Sequence, residues 1–124
     1  MDNTAKYIER KTFVQFDNDH YLLYLHEAEA EVETGEEENK TTIAGFAYKG
    51  DMPDGSTKIT ASGVNDDNRR AKFVAGLIGR RYSIDDQIAI LANRDDTEEH
   101  AAELRAFEAY RTECKAAVDE LLSR

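Results

Sequence analysis

The chain has 124 residues and a formal net charge of −10, because 26 Asp and Glu residues outnumber 16 Lys and Arg. That length, with 40% hydrophobic residues, allows the core of one ordinary domain. The negative charge disfavours nucleic acids and anionic membrane surfaces, which bind proteins largely through Lys and Arg. No apolar run approaches the roughly 18 residues that a membrane span requires, and the first six residues lack the apolar segment of a secretory signal. We therefore expect a cytoplasmic protein.

Residues 1–62 carry the patterns of β-strands. Residues 12–16 form a β-branched and aromatic run, and residues 17–19 form a polar turn cluster. Residues 21–25 resume the strand pattern and continue into residues 27–33, where acidic and apolar residues alternate. These segments predict a β-hairpin with a long second strand.

The alternation along residues 27–33 places four carboxylates on one face of the strand: Glu27, Glu29, Glu31 and Glu33. We interpret this face as the solvent side of an edge strand, where charges prevent pairing with other sheets. Binding of a divalent cation, or mimicry of DNA by an acidic surface, stays open as the alternative.

A second hairpin is predicted farther along. Residues 41–49 give another strand, and residues 51–56 contain the only proline followed by an Asp-Gly pair, which is a strong turn signal. Residues 58–62 then supply the returning strand. We expect three to five antiparallel strands in this part of the chain.

From Asn65 the spacing of apolar residues becomes helical. Asp66 or Asp67 is the predicted N-cap of a first helix, which we expect to end at Gly79. Its apolar stripe consists of Phe73, Val74, Leu77 and Ile78.

A second helix is predicted to begin at Ser83, because Asp86 three residues later completes a capping box. Its buried face is predicted to comprise Ile84, Ile88 and Leu91, which are spaced by four and three residues.

A third, longer helix is predicted to begin with a similar capping pair, Asp96 and Glu99. Its apolar positions recur every three or four residues: Leu104, Phe107, Cys114, Val118 and Leu121, with Arg111 completing the series.

Strands come first in this order and helices follow, which indicates an α+β fold and not an alternating α/β one. We predict one domain, residues 1–124, with a β-rich part at residues 1–65 and a helical part at residues 66–124. The N-terminal antiparallel hairpins form a sheet, and the three helices pack on one face of it.

The residues that usually carry chemistry are few and scattered. His20 and His26 are predicted to lie about 20 Å apart on one strand, too far to share a metal ion, and His100 lies in a helix. Cys114 is the only cysteine; it lies on an apolar stripe, where we expect a buried structural thiol. The sequence therefore predicts no catalytic, cofactor-binding or metal-binding residues.

A basic cluster stands out in this acidic chain: Arg69, Arg70, Lys72, Arg80 and Arg81. It could dock an acidic partner, or its members could pair with acidic residues of the same chain. We predict that Arg80, Arg81 and Tyr82 bind another protein, because the chain just after Gly79 should be an exposed connection.

Two segments of the helical part carry a family resemblance. Residues 81–95 combine a basic-Tyr-Ser start, an acidic pair and an Ile/Leu-Ala helix, and residues 107–115 combine an aromatic-x-x-Tyr with Glu-Cys-Lys. Over roughly residues 71–122 the chain resembles short proteins of phage and prophage tail gene clusters, the XkdW-like group. The resemblance implies a non-enzymatic structural or assembly role in a tail, with a tail or tail-fibre component as the partner, in the host cytoplasm or on the virion.

Two other functions stay open. Residues 1–65 hold 13 Asp and Glu against 6 Lys and Arg, so the protein could be an inhibitor or decoy that occupies the basic cleft of a partner, such as a nuclease. The third class is an enzyme whose carboxylates come together only in the fold.

Overall fold

The computed structural model describes residues 2–94 and 96–124, which leaves Met1 and Asp95, the last residue of the first resemblance motif, outside the described residues. The chain divides into two compact units. The first is Met1–Lys58 with Arg124, and the second is Ile59–Ser123.

Within the described residues, the strands precede the helices along the chain, which confirms the predicted α+β class. The elements are β1 (Asn3–Tyr7), β2 (Phe13–Asp17), β3 (His20–Leu23), β4 (Ala28–Thr34), β5 (Thr41–Gly50), β6 (Thr57–Thr60), α1 (Arg69–Gly79), α2 (Ile84–Asn93) and α3 (Glu98–Leu122).

The strands form two sheets of three, in the orders β1-β5-β4 and β2-β3-β6. In the first sheet, β5 pairs antiparallel with both neighbours. A Cβ at Gly45, in the middle of β5, would collide with the carbonyl of Tyr7 and lie 2.7 Å from the side chain of Val32. Glycine is therefore needed where β5 passes between its two neighbours.

The first predicted hairpin is confirmed in its turn and is wrong in its length. β2 and β3 pair antiparallel across the predicted turn. The second strand, however, ends at Leu23, and the chain turns at His26 with φ 57°, in the left-handed region. The acidic segment then begins a separate strand, β4, which pairs with β5 in the other sheet. His20 and His26 consequently do not share a strand, contrary to the prediction.

The second predicted hairpin is also wrong. The turn folds back as expected, since the Met52 N–H donates to the Ser56 carbonyl at 2.9 Å. The Asp51 carboxylate also accepts from the Lys58 N–H at 3.1 Å. After this compact loop, however, β6 joins the second sheet beside β3, whereas β5 pairs with β1 and β4. The strand β1 was not predicted, because its sequence has no clear alternation and its pairing is set by the backbone of β5.

The core of the first unit contains an arginine. The side chain of Arg124 is only 1% exposed, and its Nε lies 2.8 Å from Oε2 of Glu27. Its guanidinium also donates to the carbonyls of Lys11 at 3.0 Å and Tyr24 at 2.6 Å, and its Cζ lies 5.4 Å from the ring centroid of Tyr48. Arginine is suited to such a site, because its planar fork can satisfy several acceptors at once.

Glu27 is bound from a second side. Nε of Arg10 donates to the two Glu27 carboxylate oxygens at 3.0 and 3.1 Å, and the Tyr48 hydroxyl donates to Oε2 at 3.3 Å. Burial raises the pKa of Tyr48, so this hydroxyl keeps its proton at neutral pH. Glu27 is thus mostly buried, unlike the exposed carboxylates of β4 that follow it.

The second unit closes its core with α1 and α3. The buried residues of these helices are Phe73, Val74, Gly76, Leu77, Ile78, Phe107, Cys114, Val118 and Leu121. Both predicted stripes are therefore confirmed at these positions, although Leu104 and Arg111 are only half-buried. A Cβ at Gly76 would lie 2.9 Å from the carbonyl oxygen of Thr60, so glycine allows α1 to approach β6 closely.

The helix boundaries confirm some of the predicted caps and correct others. The capping box of Ser83 and Asp86 is present, and α1 ends at Gly79. The N-cap of α1 is Asn68, not Asp66 or Asp67.

Asparagines control that turn. The Asn65 side chain accepts from the N–H groups of Asp67 and Asn68, and Asn68 in turn accepts from the Asn65 N–H. At α3 the N-cap is Thr97, which accepts from the His100 N–H at 3.1 Å, and not Asp96. Thr97 has the extended backbone that this position requires.

We expect Phe107→Ala to lower the free energy of unfolding by about 3–5 kcal/mol, because the side chain is 1% exposed and its removal leaves a cavity. The matched control is Phe16→Ala, at a position 49% exposed, for which we expect a loss within about 1 kcal/mol. Urea denaturation of both variants measures the difference, and equal midpoints would contradict the packing of α3.

Glu27→Gln should lower the free energy of unfolding by about 3 kcal/mol, because it leaves the Arg124 charge buried without its carboxylate. Glu29→Gln, two residues farther along the chain and at an exposed position of β4, should change it by no more than about 0.5 kcal/mol. Thermal and urea unfolding compare the two variants. If Glu27→Gln costs no more than about 0.5 kcal/mol, the Arg124 site tolerates a neutral partner and the prediction is wrong.

Candidate protein-binding site

Ile84 and Ile88 of α2 are the two most exposed of the large apolar residues that the structure describes. Ile84, Ile88 and Leu91 of α2 are 70%, 60% and 42% exposed, and their spacing places them on one face of the helix. We call these three residues the α2 face. The sequence predicted this face to be buried, which is wrong: the buried residue of α2 is Ile90. Because α1 and α3 already fill the core, only one side chain of the short α2 is needed there.

A groove of about 430 Å³ runs beside the α2 face. We call it the α2 groove, and the described residues that line it come from three helices: Arg70, Ala71, Val74, Ala75, Ile78, Ile84, Gln87, Leu91, Phe107 and Arg111. Val74, Ile78 and Phe107 are buried, whereas Ala71 and Ala75 are exposed. The small alanines keep this side of α1 low, so the groove has an apolar floor that solvent can reach.

The described charged residues of the α2 groove are both arginines. Arg70 donates from Nε and Nη2 to the Asp119 carboxylate at 2.6 and 3.1 Å, and these hydrogen bonds lower the pKa of Asp119. Arg111 holds its guanidinium carbon 5.8 Å from the ring centroid of Phe107. The groove therefore has a basic rim in a protein of net charge −10.

The predicted binding residues lie just before α2. Arg80 is the C-cap of α1, and Arg81 places its guanidinium carbon 5.0 Å from the Tyr110 ring centroid and 5.6 Å from that of Tyr82. The Tyr82 ring packs edge-on against Phe107 at 5.0 Å. The structure thus brings Arg81 and Tyr82 together in one aromatic cluster, and the protein-binding role of Arg80, Arg81 and Tyr82 stays a prediction.

Two other members of the basic cluster pair within the chain. Arg69 donates to Asp66 at 2.8 Å, and Arg70 binds Asp119 as described above. The alternative in which these cations pair with acidic residues of their own chain therefore holds for Arg69 and Arg70.

The acidic face of β4 keeps three of its four predicted members. Glu29, Glu31 and Glu33 are exposed on a strand at the edge of its sheet, and Glu33 lies 3.7 Å from Lys40. This is the arrangement that we interpreted as the solvent side of an edge strand. Glu27 is the exception, because its carboxylate binds Arg10 and Arg124.

The nucleophile and metal-ligand candidates stay apart in the described part of the chain, where no three His, Cys, Asp or Glu residues are close enough to hold a metal ion. Burial raises the pKa of the Cys114 thiol, and it also raises the pKa of Tyr110 to about 12. At neutral pH Cys114 is therefore a buried, protonated thiol, which is a poor nucleophile.

Sequence reasoning found the residues of the α2 face and assigned them to the core. It missed the groove, because Ala71 and Ala75 lie outside the apolar stripe predicted for α1. The one available signal was Arg111, a cation at a position where the pattern of α3 calls for an apolar residue.

Comparison with protein-family models, with curated proteins and with solved structures finds no match for this chain. The resemblance to the phage and prophage tail group therefore stays a prediction from the sequence. Across residues 2–94 and 96–124, none of the helices is both long and apolar enough to cross a membrane.

Two isoleucines of α2 test whether the α2 face is exposed. Ile90 is 8% exposed, so we expect Ile90→Ala to lower the free energy of unfolding by about 2–4 kcal/mol. Ile88→Ala should change it by no more than about 0.5 kcal/mol, because that side chain is mostly in solvent. Urea midpoints of the two variants decide the point, and a larger loss at Ile88 would mean that α2 is rotated.

Proposed function

We propose that this protein is a non-enzymatic accessory protein of a phage or prophage tail, and that it binds another protein through the α2 face. The observation that carries the binding role is the exposure of Ile84, Ile88 and Leu91 on one side of a short helix. Contiguous exposed apolar surface of this kind is typical of interaction sites.

The free energy available from burying the α2 face supports a binding role. Each large apolar side chain contributes roughly 1.5–3 kcal/mol when it moves from water into an apolar contact. Burial of three such side chains by a partner would favour binding even without polar contacts. Arg81 and Tyr82 directly precede this helix and are residue types enriched at interfaces.

The tail-associated part of the proposal comes from the sequence resemblance over roughly residues 71–122. The α2 face falls inside its first motif, residues 81–95. The Ile/Leu-Ala helix of that motif is the segment on which α2 exposes these three residues.

The test is capture of the partner from cells that make the protein and assemble tails. We expect the tagged wild-type chain to retain a tail or tail-fibre component, and Ile88→Glu to lose at least tenfold of it. Ile8→Glu is the matched control, since Ile8 is 47% exposed and lies in the first unit. Equal recovery by all three chains would refute binding through α2, and a partner unrelated to tails would refute the tail role.

The acidic-decoy function keeps one specific observation in its favour. Glu29, Glu31 and Glu33 point to one side of an edge strand at intervals of about 7 Å, and all three are exposed. A chain with Gln at these three positions should lose a basic partner at low salt if the decoy function is correct. If the same variant retains its partner and Ile88→Glu does not, the α2 face is the binding site.

A further inference from the structure

The α2 groove constrains what can bind there. On the α1 side its residues are Ala71, Val74, Ala75 and Ile78, a continuous stripe with spacings of three and one that repeats every helical turn. From Ala71 to Ile78 the stripe measures about 11 Å along the helix axis. A partner that follows it would place about two helical turns against the groove.

The walls favour a helix over an extended segment. All described lining residues belong to α1, α2 or α3, whose backbone hydrogen bonds are already made within each helix. An extended peptide gains most of its affinity by pairing with a free strand edge, which this site does not offer. Side-chain ridges and grooves, in contrast, are the surface on which another helix packs.

A compact ligand would leave part of the surface uncovered. Ile88 is 60% exposed and belongs to the α2 face, but it does not line the groove. A molecule that only fills the groove would leave Ile88 in water. A helix lying along α2 can cover Ile84, Ile88 and Leu91 while one of its rows of side chains enters the groove.

The arginines that line the groove favour a partner helix that carries a carboxylate. The described charged residues that line the groove are Arg70 and Arg111, and Arg70 already binds Asp119. Arg111 stacks on Phe107, where its remaining N–H groups can meet a carboxylate. A second copy of this chain is a poor occupant, because two molecules of net charge −10 repel each other.

We infer that the α2 groove binds an amphipathic helix of a partner protein, with apolar residues at i, i+4 and i+7 and a carboxylate that meets Arg111. This inference rests on the proposed function and names its partner by chemistry. The apolar row covers the α2 face, and the carboxylate sets the register of the bound helix.

The test uses the full chain as bait for a displayed library of 16-residue helical peptides. The apolar positions are fixed, and the flanking positions vary among Glu, Gln and Lys. We expect one flanking position to become Glu. The synthetic peptide should then bind the wild-type chain at least tenfold more tightly than Arg111→Glu or Leu91→Glu, with Arg105→Glu, on an exposed position of α3, as the control that keeps full affinity.

A charge exchange keeps the test independent of folding. Replacing the selected Glu by Lys should weaken binding to the wild-type chain and restore it to Arg111→Glu. Selection of Lys over Glu, equal affinity for the Arg111 and Arg105 variants, or self-association of the chain that Ile88→Glu abolishes would each overturn the inference. Loss of the cellular partner in Ile88→Glu together with a failed peptide selection would overturn this inference alone and leave the proposed function standing.

Discussion

The ion pair of Arg124 with Glu27 is the constraint on which the first unit depends. Burying an arginine is unfavourable unless its charge and its N–H groups all find partners, and here one carboxylate and two backbone carbonyls serve that need. Those partners fix the chain at Lys11, at Tyr24 and at Glu27. The left-handed turn at His26 lies between the last two. These contacts hold the chain on both sides of the turn at which the acidic segment leaves the β2–β3 hairpin.

The second unit depends on the packing of its helices, to which the three helices contribute unequally. α1 and α3 place their large apolar residues in one core, and α2 contributes Ile90 to it. The rest of the apolar surface of α2 is left facing solvent, beside a groove that two alanines of α1 keep open. This apolar surface stays exposed because the core is complete without it.

Charge separates the two surfaces that could meet a partner. β4 exposes Glu29, Glu31 and Glu33, whereas the α2 groove is bordered by Arg70 and Arg111. The acidic surface repels phosphates and solvates the chain. The basic rim is local, and it would select a carboxylate on an otherwise apolar partner. Arginine is enriched at protein–protein interfaces, whose buried centres hold few other charged residues.

The sequence by itself determined the α+β class, the β2–β3 turn, the capping box at Ser83, the end of α1 and the core positions Phe73, Leu77, Phe107 and Leu121, because periodicity and capping are local properties. Only the tertiary structure decided where β4 and β6 pair, since strand partners depend on contacts between distant residues such as Arg124 and Glu27. It also decided which face of α2 is buried and which is exposed. An amphipathic pattern shows that a face avoids water, but it cannot tell whether the same chain or a partner covers that face, because both remove the same apolar area from solvent.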